Sequence, residues 1–214
     1  NSPASCWRPH DLPLHRLPPQ GGRCSLQALP KLRACAVRAG SGACGGAGSV
    51  RYGSVCSGIE AATVAWHPLG WTPVFFAEVE PFPCAVLAHH YPEVPNHGDI
   101  TRFREWPDAD IDVLVGGTPC QSFSVAGLRG GMADPRGNLA LTFLAIADRY
   151  RPEWLVWENV PGVLSSNGGR DFGSILGGMV ELGYGYSYRV LDAQYFGVAQ
   201  RRRRVFVVGH LGDW

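Results

Sequence analysis

The sequence predicts an α/β protein, a mostly parallel sheet with helices on both faces. Three observations carry this reading. Short apolar runs of strand length recur from Arg51 onward, stretches with helical periodicity fall between them, and glycine or proline turns follow the strand runs. Strands that alternate with helices in this way build parallel sheets.

Taken in order, Arg51–Ser57 and Val74–Glu80 read as strands. Each leads into a helix, Ile59–Trp66 and Pro83–His90, the second opening on a proline suited to a first helical turn. A third strand is expected to end near Asp99, ahead of a turn over Thr101–Glu105, and Asp112–Gly117 forms a further strand. Asn138–Tyr150 places Leu139, Phe143, Ile146 and Ala147 on one helical face. Trp154–Glu158 is another apolar strand, Asp171–Leu182 a glycine-weakened helix, and Tyr186–Val190 and Arg204–His210 close the chain as strands. No internal repeat is visible.

The 214 residues suffice for one core and not for two large domains. No apolar run approaches membrane-spanning length, and the start lacks the apolar segment of a signal peptide. The first residue, Asn1, marks a fragment or a processed chain. Residues 1–49 contain no Phe, Tyr, Ile, Met or Glu but six prolines and seven glycines, so they have little to bury against the entropy of ordering. They are expected to be a disordered or non-domain extension, and residues 50–214 the domain.

Charge is uneven along the chain. Residues 1–50 carry six basic side chains and one acid, leaving 13 basic and 17 acidic residues in the body. A duplex-binding protein is expected to show a basic surface; here the body offers only the run Arg201-Arg202-Arg203-Arg204. The seven cysteines form no C-x-x-C pair, which speaks against structural zinc, and a reducing compartment is expected.

Chemistry concentrates at the strand ends. Gly116-Gly117-Thr118-Pro119-Cys120-Gln121-Ser122-Phe123-Ser124 stops a strand with two glycines and a proline and leaves Cys120 on a rigid loop at the carboxyl edge, where open α/β sheets bind ligands. A thiol there serves as a nucleophile if its surroundings favour the thiolate, and is otherwise a small core hydrophobe. Cys56-Ser57-Gly58-Ile59-Glu60 forms a tight turn into a helix with one glycine where a dinucleotide fingerprint needs three, which argues against a pyrophosphate cofactor. Glu80, read as the tip of the second strand, can accept hydrogen bonds from ribose hydroxyls or simply face solvent. Asp99 can meet an adenine amino group or cap the turn that follows. A turn and two acids on successive strand ends suggest a nucleoside ligand without a pyrophosphate, a description that S-adenosylmethionine fits.

Glu158 ends the strand Trp154–Glu158 and could deliver a proton to a heteroaromatic ring nitrogen, or serve as a structural carboxylate. In the run 201–204, alternate arginines share a face, so Arg202 and Arg204 point together and Arg201 and Arg203 point oppositely. One pair can line a pocket while the other meets phosphate or solvent. A zinc deaminase would need P-C-x-x-C and H-x-E, and neither occurs.

Together the Gly-Thr-Pro-Cys-Gln-Ser-Phe-Ser segment, Glu158-Asn159-Val160 and Gln200-x-Arg202-x-Arg204 resemble the signatures of the DNA (cytosine-5)-methyltransferase family, over about residues 51–210. The resemblance implies a Rossmann-like methyltransferase sheet with an antiparallel last strand and S-adenosylmethionine at its carboxyl edge. It assigns Cys120 to attack on cytosine C6, Glu158 to N3 and the exocyclic amino group, Arg204 to O2, and Arg202 to support of the site. Ser57, Gly58, Ile59, Glu80, Pro81, Asp99, Ile100, Pro119 and Leu139 would form the cofactor pocket. The implied substrate is double-stranded DNA with the cytosine flipped out, and Ser122–Arg136 resembles the mobile loop that closes over that base.

Two departures stand out. The family has Phe and more glycine where this chain has Cys56 and Glu60-Ala61-Ala62, and the target-recognition region and closing segment are absent from these residues. A catalytic half is therefore expected, monomeric when complete and served by a complementing recognition half, of bacterial or phage origin, cytoplasmic, and belonging to restriction-modification chemistry. An incompetent fragment and an RNA cytosine-5 methyltransferase are the alternatives. Limited proteolysis is expected to strip residues 1–49 and leave a core beginning near Val50; slow hydrogen exchange of amides within 1–49 would contradict that boundary.

Overall fold

A computed structural model describes residues 49–119 and 139–212. Six strands form one sheet: β1 (Arg51–Val55), β2 (Thr72–Ala77), β3 (Val113–Gly116), β4 (Trp154–Asn159), β5 (Tyr184–Asp192) and β6 (Arg203–Leu211), in the order β2-β1-β3-β4-β6-β5. β1 runs parallel to β2 and β3, and β3 parallel to β4, while β6 lies antiparallel to both β4 and β5. The reversed last strand is thus as expected. The chain leaves β1 for one sheet edge and β3 for the other, so a crevice opens between the carboxyl ends of β1 and β3.

Helices cover both faces. On one face, α1 (Ala61–Trp66) packs on Tyr52, whose hydroxyl lies 2.6 Å from Thr63 Oγ1 and whose ring meets Trp66 edge-on. The residue after α2 (Pro81–His90), Tyr91, packs on Phe76 of the same face. On the other face, α3 (Leu139–Tyr150) and α4 (Arg170–Glu181) bury Phe143, Leu144, Ile146, Phe172, Ile175 and Met179 against Val55, Phe75, Leu114, Leu155 and Trp157. Glycine permits the close approaches here. A Cβ on Gly178 of α4 would come within 2.4 Å of Leu144 Cδ1, and one on Gly116 within 2.7 Å of Val55 Cγ2.

The structure corrects three expectations. No strand precedes Asp99; Asn96 makes one isolated bridge to Phe76, because Pro92 and Pro95 supply no N–H donors and Gly98 turns the chain at φ +73°. The second strand stops at Ala77, not Glu80, because the N–H groups of Val79 and Glu80 donate to the Glu78 carboxylate and Pro81 starts the helix. β5 spans Tyr184–Asp192, longer at both ends than Tyr186–Val190, since β6 supplies partners along its whole length. Asn138 and the loop Ser122–Arg136 lie outside the described residues. Among the described residues, no helix is long and apolar enough to cross a membrane.

Gly53 sits where a Cβ would overlap the Phe75 ring, at 2.2 Å from Cζ. Gly53→Ala is expected to destabilise the fold by about 1–3 kcal/mol, the usual cost of overpacking, read as a lower urea midpoint with an unchanged slope.

Candidate active site

The carboxyl ends of β1, β2, β3 and β4 carry the chemistry-bearing residues. After β1 the turn is sharp: Cys56 and Glu60 both adopt positive φ (50° and 64°), as does Gly58 at 56°. Two non-glycine residues in the left-handed region make this the most strained turn of the described chain. Glu60 ends the turn at the N-cap of α1. Its side chain is buried, Oε1 caps α1 by accepting from Thr63 N at 3.2 Å, and Oε2 has no hydrogen-bond partner among the described residues. Burial raises the Glu60 pKa above its ordinary value.

At the tip of β2 stands Glu78, which is buried and accepts three backbone bonds: from Gly58 N at 2.8 Å, Val79 N at 2.8 Å and Glu80 N at 2.8 Å. Asn96 holds it in turn, Oδ1 accepting from Glu78 N at 2.9 Å and Nδ2 donating to Glu78 O at 3.2 Å. A carboxylate offers about four lone-pair sites, so these bonds leave Glu78 with capacity for a ligand hydroxyl. Glu80, assigned to this strand tip from the sequence, is instead the exposed residue ahead of α2, and its side chain makes no cap bond. The sequence does not single out Glu78, because A-E-V-E offers two acids with no way to tell which one ends the ladder.

The other cofactor candidates separate by burial. Ser57 is half-buried, with its hydroxyl donating to Ser54 O and accepting from Ala77 N. Ile59, Pro81 and Pro119 are exposed at the same edge, and Leu139 is half-buried at the start of α3. Asp99 Oδ1 caps the 3-10 helix Ile100–Glu105 by accepting from Thr101 N at 2.8 Å, the second of its two expected roles. Ile100 points its side chain into the core, which leaves only its backbone for a ligand. Burial, with the charges of Glu78 and Asp99 added, pushes the Cys56 thiol up to about 12, so Cys56 is no candidate nucleophile.

A second cluster lies at the end of β4. Glu158 Oε1 is 2.9 Å from Arg204 Nε and 4.0 Å from an Arg202 Nη, so the predicted partners do converge. The register explains why: Glu158 pairs with Phe206 on β6, and Arg204, two residues away, shares that face. Glu158 Oε2 lies 3.0 Å from where a Gly117 Cβ would stand, so only glycine lets β3's exit pass this close to the carboxylate. Thr118 is buried, its Oγ1 accepting from Trp157 Nε1 at 2.9 Å and its carbonyl from Asn159 Nδ2 at 2.9 Å. These contacts fix Gly117 and Thr118 just ahead of Cys120, which itself lies outside the described residues. Gly117, Thr118 and Trp157 act through packing, which sequence spacing alone does not show.

The sequence model of the C-5 cytosine-specific DNA methylase family matches residues 50–214, and the chain belongs to that family. It is 46% identical over 211 residues to the DNA N-6-adenine-methyltransferase of Escherichia phage P1, covering 73% of this chain and 28% of that protein. It is 41% identical over 140 residues to the type II methyltransferase M.BsuFI of Bacillus subtilis, covering 65% of this chain and 34% of the relative. The chain thus spans about a third or less of these relatives' length. Among solved structures, the S. pombe Dnmt2 methyltransferase aligns at TM-score 0.59 and 19% identity, over 78% of this chain and 52% of that one. Entamoeba histolytica EhMeth aligns at TM-score 0.57 and 14% identity, over 78% and 54%. The fold is that of the S-adenosylmethionine-dependent methyltransferases.

Glu60 gives a pH test. Its folded pKa is raised, so its contribution to stability is fully present below the unfolded carboxylate pKa and is lost as pH rises through the folded value. Glu60→Gln keeps an oxygen for Thr63 N and removes the buried charge. Relative to wild type it is expected to gain stability as pH climbs from about 4 toward neutrality, measured by urea denaturation across that range; a constant difference would contradict the buried-carboxylate account.

Proposed function

We propose that this chain carries the cofactor-binding and catalytic core of a DNA (cytosine-5)-methyltransferase, which places a methyl group on cytosine C5 through a covalent Cys120–C6 intermediate. The observation that carries the reading is the Glu158–Arg204 pair, set beside the anchored Gly117-Thr118 segment that runs into Cys120. No metal is needed for this chemistry.

The residues at the β1 and β2 tips fit S-adenosylmethionine. A Cβ on Gly58 would meet nothing within 4 Å, so the turn faces open space, and Glu78 keeps acceptor capacity beside it. Ser57, Gly58 and Ile59 would line the turn, Glu78 in place of Glu80 would take the ribose hydroxyls, and Asp99, Ile100 through its backbone, Pro81, Pro119 and Leu139 would complete the pocket. Bound there, the cofactor supplies an electrophilic methyl group.

The protein residues do the rest. Cys120 adds to C6, turning C5 of an unreactive ring into a carbon nucleophile. Glu158 delivers a proton to N3 as the thiolate adds, accepts from the exocyclic amino group, and takes the N3 proton back when the thiol leaves, while Arg204 holds O2. Arg202 supports the pair, its guanidinium 4.0 Å from the same Oε1 that Arg204 meets. Loss of the C5 proton then expels the thiol and restores the aromatic ring. A buried ring atom must leave the duplex to reach this edge, so the substrate is double-stranded DNA with a flipped cytosine, and a complementing recognition half would select the site. Residues 1–49 lie outside the catalytic fold in this reading.

The phage P1 relative's name favours a second reading, methylation of adenine N6. An exocyclic amine carries its own lone pair and needs no thiol, so that reaction leaves the Pro119-Cys120 loop without a task. Nuclease digestion of methylated DNA and chromatography of the nucleosides separates 5-methylcytosine from N6-methyladenine, and a parallel RNA substrate tests the RNA alternative.

Two further outcomes are expected. Glu78→Ala should weaken S-adenosylmethionine binding by about 1.5–3 kcal/mol, the scale of hydrogen bonds to a charged group, and Glu80→Ala should change it little; calorimetry showing the reverse order would return the role to Glu80. DNA containing 5-fluorocytosine blocks the final proton loss, so a recognition-competent form of the protein, given cofactor, should leave a denaturant-stable adduct that peptide mapping places at Cys120. Cys120→Ser should form none. Trapping that maps to Cys56 or Cys84 would sink the assignment.

A further inference from the structure

The arginine run divides its work. Arg202 and Arg204 turn toward Glu158. Arg201 and Arg203 turn the other way, into an open cleft of about 480 Å³ that they share with Val190, Asp192, Tyr195 and Phe196. Among the described residues neither Arg201 nor Arg203 has an ion-pair partner, and both are exposed. The carboxylate that lines the cleft, Asp192, is already engaged: it accepts from Gln194 N, Gln194 Nε2 at 2.8 Å and Arg202 N at 3.0 Å. That bonding holds the turn Ala193–Phe196 against the start of β6, and the one carboxylate, which pairs with neither arginine, leaves the cleft with net positive charge.

The aromatic residues of this turn lie open. Tyr195 is 81% exposed and Phe196 65% exposed, and neither stacks on another ring among the described residues. Bare ring faces beside unpaired guanidinium groups match what a nucleic-acid strand presents, phosphates at regular spacing and flat bases between them. An acidic peptide would use the arginines but not the rings, and an apolar partner would strand both charges.

We propose that this cleft is a second nucleic-acid contact, in which Arg201 and Arg203 hold backbone phosphates of the substrate DNA and Tyr195 and Phe196 stack an unpaired base. It rests on the reading of this chain as a DNA-modifying enzyme. The DNA then straddles the run 201–204, with the reacting base on the Glu158 side and the adjoining backbone on the other. This supplies a basic grip where the body of the protein is otherwise acidic.

Fluorescence anisotropy of labelled duplex and single-stranded DNA, titrated with the full chain at several salt concentrations, tests this. Arg201→Gln with Arg203→Gln should lower the slope of log affinity against log salt by about 2 for the duplex, one for each lost phosphate contact. Lysine at both positions should keep the slope, since the charge is retained. Tyr195→Ala with Phe196→Ala should keep the slope and weaken single-strand binding roughly 5- to 100-fold. Circular dichroism confirms that each variant is folded. A wild-type slope in the glutamine pair, an equal loss in the lysine pair, or no DNA binding by the wild-type chain would overturn the cleft. Adduct formation at Cys120 in the wild-type protein is scored separately. With the complementing recognition half present, DNA binding with the expected slopes but no adduct would refute the catalytic reading and leave the cleft standing, and an adduct with unchanged slopes would do the reverse.

Discussion

The carboxylate of Glu78 organises the edge on which everything else depends. It takes the N–H groups of Val79 and Glu80, which would otherwise extend β2, and reaches across to Gly58 on the neighbouring turn. One side chain therefore ends a strand, starts a helix beside Pro81, and ties the β1 turn to the β2 tip. The turn needs that tie. It holds Cys56 and Glu60 in backbone conformations that cost free energy, and such strain persists only where surrounding bonds over-determine it. Asn96 completes the brace from a segment whose prolines prevent it from becoming a strand itself.

The end of β4 solves the same problem by different means. There the antiparallel β6 delivers Arg204 to the face of Glu158, which a parallel neighbour entering from the opposite direction would not do. Gly117 removes the side chain that would crowd the carboxylate, and Thr118 is held by Trp157 and Asn159. The two clusters flank the crevice where the connections from β1 and β3 diverge, the place where an open sheet leaves room for ligands. A hydrogen-bonded carboxylate thus stands on one side of that crevice and a charged pair on the other.

Membership of the C-5 cytosine-specific family and resemblance to a relative named for adenine methylation are compatible at the level of the fold. Both reactions need the cofactor edge; they differ in whether the acceptor atom must be activated.

Much of the fold and site is legible in the sequence because it is local. Apolar runs, glycine turns and a proline near the head of the second helix are set by neighbours in the chain, though that helix starts at Pro81 and not Pro83, and alternation along a strand is enough to put Arg202 and Arg204 on one face. The sequence by itself thus determined the α/β class, the strand ends at which the candidate residues gather, and the split of the arginine run. Only the tertiary structure decided which of two nearby acids ends β2, that Asp99 follows a turn and not a strand, that Glu60 is buried, and that Gly117 makes room for Glu158. The pairings behind these outcomes join different strands, Gly58 against Glu78 or Glu158 against Gly117, and hydrogen bonds and close contacts between strands are fixed by register, which no single segment specifies.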